Sequence, residues 1–79
     1  MKIQINMRNG TSYWLDDTDP NFHREMHKIL AQSGGWTMLK PYGKMGYVAV
    51  PTHLVAEIRP VDDEKDAVEF EKIMRIMID

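Results

Sequence analysis

Residues 2–15 constrain this chain more than any other stretch. Lys2-Ile3-Gln4-Ile5-Asn6-Met7-Arg8 alternates strictly, with Ile3, Ile5 and Met7 on one face and Lys2, Gln4, Asn6 and Arg8 on the other. Asn9-Gly10 follows, two residues that tolerate the positive φ of a type I′ turn, and Thr11–Leu15 is β-prone. A two-residue loop at this point sets Met7 opposite Ser12, Ile5 opposite Trp14 and Ile3 opposite Asp16. Trp14 then shares the apolar side with the isoleucines, and Tyr13 and Leu15 fall on the opposite side with Asn6 and Gln4. That second side would carry apolar area of its own, to be covered by a helix or used as a contact surface.

Asp16-Asp17-Thr18-Asp19 ends the second strand and starts a helix, with Asp19 as N-cap and Pro20 at the first helical position. Phe22, Met26, Ile29 and Leu30 recur at helical spacing, and Ser33-Gly34-Gly35 supplies a glycine for a left-handed cap. Trp36–Lys40 reads as a third strand, Pro41–Gly46 as a turn and Tyr47–Val50 as a fourth strand. Pro51-Thr52-His53 breaks the chain before a fifth strand, Leu54–Arg59, with Leu54, Ala56 and Ile58 on one face. An aspartate of Asp62-Asp63 caps the last helix, whose apolar stripe is Ala67, Phe70, Met74 and Met77, widened by Val68, Ile73 and Ile76.

The expected fold is α+β, a small, mainly antiparallel five-stranded sheet or open barrel in the order β-β-α-β-β-β-α. Parallel crossovers would need helices between most strands, which this order lacks. The break at Pro51-Thr52-His53 resembles the corner before the last strand of SH3-like and Sm-like barrels, a likeness of topology that names no family. The chain has 79 residues and no linker or repeat, so it forms one domain. With so small a core and no cysteine, stability rests on apolar packing or on a partner chain.

Several chemistries are disfavoured by inventory. Absence of cysteine removes disulfides, thiolate metal sites and thiol nucleophiles. His23 and His27 share a helix face, but Arg24 and Met26 stand where zincin motifs need glutamate, so the expectation is no metal and no cofactor. Asp16, Asp17 and Asp19, and Asp62, Asp63, Glu64 and Asp66, sit at helix starts, where aspartate already caps. Ser12 and Ser33 lack a nucleophile elbow, and Gly34-Gly35 follows a helix rather than leading into one. The expectation is therefore a chain without catalytic activity. No apolar run approaches the ~20 residues of a membrane span, and no signal-peptide pattern is present, which points to a cytoplasmic chain with no membrane partner.

What remains is aromatic and basic. Trp36, Lys40, Tyr42, Lys44 and Tyr47 crowd onto one hairpin, with Tyr13 on its neighbour. Such residues suit a protein contact, stack nucleotide bases, or simply serve the core as strand positions. A net charge of −2 weighs against an extended nucleic-acid surface. The seven methionines suit an adaptable core or a forgiving contact surface. Phe70, Ile73, Ile76 and Met77 give the last helix a stripe wide enough to cover the sheet or to pack on a second copy, and a homo-oligomer is favoured. The expected function is a protein-interaction or regulatory module, in the manner of small accessory proteins of bacteria and their phages. Nucleic-acid or nucleotide binding through hairpin 36–47 is the alternative.

Overall fold

The computed structural model of this chain describes residues 1–32, 34–41 and 43–78. Strand β1 (Lys2–Met7) pairs antiparallel with β2 (Ser12–Asp16), but one residue out of the expected register. Ile3 stands opposite Leu15, Gln4 opposite Trp14 and Ile5 opposite Tyr13. The loop is the cause. Met7 donates to the Thr11 carbonyl at 2.8 Å and Gly10 to the Met7 carbonyl at 3.0 Å, so Arg8-Asn9-Gly10 forms a three-residue connection. Gly10 takes the positive φ (90°) while Asn9 does not, which is a turn closed by a glycine bulge rather than type I′. The Asn9 side chain steadies it by accepting from the Thr11 N–H at 2.9 Å. Because side chains alternate, this shift moves Leu15 to the isoleucine side and Trp14 to the other. Leu15 is buried and Trp14 is half-buried.

Helix α1 (Phe22–Ala31) starts later than Asp19-Pro20 suggests. The Asp19 carboxylate accepts from the Asn21 N–H at 2.8 Å and its carbonyl from Phe22 at 2.9 Å, so residues 19–21 close a turn ahead of the helix. At its other end the left-handed residue is Gln32 (φ 46°), not a glycine, and its N–H reaches the Lys28 carbonyl at 3.2 Å. Ser33, assigned to this stop, lies outside the described residues. Strands β3 (Trp36–Pro41) and β4 (Val48–Pro51) follow, so that Pro41 ends the third strand, Tyr47 precedes the fourth, and Pro51, expected to break the chain, is the last residue of β4. A single 3-10 turn, Thr52–Leu54, then leads into β5 (Val55–Pro60). Leu54 therefore belongs to the turn. A bulge between Asn6 and Met7 pairs Met7 with Val55 and Asn6 with Glu57, so Ala56 is the extra residue. Val55 and Ile58 face the core in place of the expected Leu54, Ala56 and Ile58 set. Helix α2 (Asp63–Ile78) is capped as anticipated, Asp62 accepting from the Lys65 N–H at 3.1 Å.

The strands form one antiparallel sheet in the order β4-β3-β2-β1-β5. Only a 3-10 turn joins β4 to β5, although they lie at opposite edges. Laid flat, the outer strands of such a sheet would stand about 19 Å apart. The link from Pro51 to Val55 reaches at most about 14 Å. The sheet must therefore curl, and the bulge in β1–β5 supplies a bend. It does not close, since β4 and β5 are not paired with each other. Ile3, Ile5, Met7, Leu15, Leu39, Val50 and Val55 fill the inner side, where Phe22, Met26 and Ile29 of α1 and Met77 of α2 join them. Positions 2, 4, 6, 14, 36, 38, 40, 57 and 59 alternate away from this core and make the outer face.

Candidate binding surface

The outer face divides into two halves of different character. Across β1, β2 and β5 its polar groups bind one another. The Asn6 amide oxygen accepts from Gln4 at 2.9 Å and from the Ser12 hydroxyl at 2.7 Å, and its nitrogen donates to Glu57 at 3.1 Å. Arg59 is engaged by Asp63 and Glu57. That half has little left to offer a ligand.

The other half is aromatic and cationic. Trp14 pairs with Lys40 of β3, and the Lys2 ammonium sits 4.7 Å from the indole centroid. A cation over a half-buried ring is worth about 1 kcal/mol, enough to orient both groups. Together with Asp16, Pro41, Gly43, Lys44 and Met45 they line a recess of about 350 Å³. Met45 is almost wholly exposed at 99%, a large apolar side chain held out at the rim. Asp16 turns its carboxylate toward Thr18, and the Thr18 backbone N–H, ahead of the other influences, holds the Asp16 pKa below the ordinary value.

Beyond Lys40 the strands β2 and β3 part, since their pairing is confined to Tyr13–Pro41 and Trp14–Lys40. The Lys40 ammonium lies 5.2 Å from the Tyr47 ring centroid, and the Tyr47 hydroxyl donates to Asp19. This bond lowers the Asp19 pKa and raises that of Tyr47. In the gap lies Glu25, only 1% exposed. Its Oε2 accepts from the Thr37 hydroxyl at 3.0 Å and the Met38 N–H at 3.4 Å, with Lys28 at 3.3 Å and Arg24 3.6 Å from the carboxylate. The carboxylate thus serves the edge of β3 where β2 has moved away.

No family model matches this chain, and comparison with curated proteins and with solved structures finds no match. The surface must be judged on its own chemistry. Of the residues singled out by sequence, Lys40 and Lys44 meet in the recess, while Trp36 stands at the far end of β3 opposite Pro51 and is 61% exposed. Tyr47 lies beside Lys40. Tyr13 packs against the core on the other side of the sheet, and Tyr42 lies outside the described residues. Met77 is buried in the core, Phe70 and Ile73 pack half-buried against it, and Ile76 is exposed. His23 and His27 are exposed, and no group of three or more His, Cys, Asp or Glu is placed to hold a metal among the described residues. None of their helices is long and apolar enough to cross a membrane.

Sequence reasoning missed Trp14 and Lys2, because the assumed register turned Trp14 inward. The signal was available. A three-residue loop matches Ile3 with Leu15 and Ile5 with Tyr13, whereas a two-residue loop sets Ser12 and Asp16 against the apolar side.

Proposed function

We propose that this chain is a non-catalytic binding module that holds a protein partner on the outer face of its sheet. The observation that carries this reading is the alternation of β3, where Thr37 and Leu39 are buried while Trp36 and Met38, two residues apart on the outer face, stand exposed. Tryptophan and methionine are enriched at protein contacts, and a clustered set of exposed apolar side chains marks an interaction surface. The curled sheet behind them is a rigid mount. Affinity capture with the intact chain and with a Trp36→Ala/Met38→Ser variant tests it. The variant is expected to melt within a few degrees of the parent and to lose its partner. Equal capture by both would remove the outer face as the contact.

We further propose that the chain self-associates through the far side of α2. Val68 and Ile76, about two turns apart on one flank of the helix, remain exposed there after Phe70, Ile73, Met74 and Met77 have joined the core. Burying this apolar surplus against a second copy supplements a small core. Light scattering is expected to give a multiple of the chain mass that reverts to the monomer in Ile76→Asp. A monomeric parent at high concentration disposes of the idea.

A further inference from the structure

The Trp14 recess has a charge pattern that points to a class of ligand. Lys2, Lys40 and Lys44 line it against one carboxylate, Asp16, with the Lys40 ammonium shared with the neighbouring Tyr47 ring. Asp16 is occupied, accepting from the Thr18 N–H at 3.0 Å and the Thr18 hydroxyl at 2.8 Å. Lys44 stands exposed on the loop. The walls between these charges are apolar, made of the indole, Pro41 and the side chain of Met45. A fitting ligand therefore joins an anion to an apolar group.

The positive field is short-ranged. Across Lys2 and Asp16 the surface continues into a second depression, where Asp16, Asp62, Asp66 and Glu69 outnumber Lys2, Lys65 and the Met1 ammonium, which is itself paired with Asp17. A long polyanion leaving the recess on this side would meet those carboxylates within about one Debye length, roughly 8–10 Å. A short acidic segment would not. Single-stranded nucleic acid is thus the poorer match, and a peptide the better.

We propose that the Trp14 recess receives an acidic side chain with an apolar neighbour, presented by a short segment of a protein partner. This rests on the reading of the outer face as a protein-binding surface. The carboxylate lies among Lys2, Lys40 and Lys44, and the apolar neighbour rests on Trp14 and Met45. Charge sets the choice of partner and the apolar contact adds affinity.

Selection of a display library of random short peptides on the intact chain tests this, followed by titration of the selected peptides made synthetically. Enriched sequences are expected to place Asp or Glu beside an aromatic or aliphatic residue. Their affinity should fall about tenfold in Lys40→Glu/Lys44→Glu. It should fall roughly threefold to fivefold in Lys44→Glu alone, a loop substitution that leaves the fold intact. Enriched peptides without acidic residues, lost on Trp36→Ala, would overturn the acidic ligand while leaving the outer-face contact standing. Oligothymidine that displaces the peptides and binds more tightly would overturn both readings. Failure to enrich any peptide also overturns the inference, and capture by the Trp36 variant then reports on the outer face separately.

Discussion

Replacing Glu25 by alanine should lower stability by about 3 kcal/mol and the melting temperature by roughly 12–24 °C, measured by thermal and urea denaturation. Two effects add. The Thr37 hydroxyl and the Met38 N–H lose their acceptor in a site closed to water, and the missing side chain leaves a void between α1 and β3. A domain of this size holds only several kcal/mol in all, so the loss is a large share. Glu25→Gln keeps an oxygen for Thr37 and Met38 and gives up only the attraction to Lys28 and Arg24. It should cost about 1 kcal/mol. A Glu25→Ala variant that melts with the parent would mean that the carboxylate does not hold the exposed edge of β3.

Glu25 also shows where pattern reading stops. Phe22, Met26, Ile29 and Leu30 identify the buried stripe of α1 from spacing alone, and Glu25 lies on that stripe, three residues after Phe22 and four before Ile29. A charged residue at such a position is ordinarily assigned to solvent. What makes it buried is not local: β2 parts from β3 after Trp14, β3 runs on unpaired on that side, and an N–H on the opened edge needs an acceptor. No window of sequence contains both halves of that argument. The elements themselves were legible for the opposite reason. Proline at 51, glycine at 10, 34, 43 and 46, and the aspartate at 62 act on their own immediate neighbours, and the strands and helices they bound appear within a few residues of the expected places. The wide stripe of α2 was legible too, but its division was not. Which of its residues meet the core depends on how the helix lies across β5 and α1.

The side of the sheet on which Trp14 lies turns on one loop residue, and this gives the sharpest test of the fold. Leu15→Ala is expected to cost about 2–4 kcal/mol, because Leu15 is enclosed by the core on the same side as Ile3 and Ile5. Trp14→Ser, although it removes a far larger side chain, should cost about 2 kcal/mol. Its indole lies half-buried on the outer face, where the Lys2 contact and partial apolar burial are among what is lost. The type I′ register predicts the reverse order, with Trp14 in the core and Leu15 dispensable. Denaturation of the two variants side by side therefore reads out the loop length at Arg8-Asn9-Gly10. The same pair separates folding from binding, since Trp14→Ser should remain folded yet lose the apolar wall of the cationic recess. If Trp14→Ser proved the more damaging to stability, Trp14 would belong to the core, and Lys2, Lys40 and Lys44 would have no aromatic surface between them.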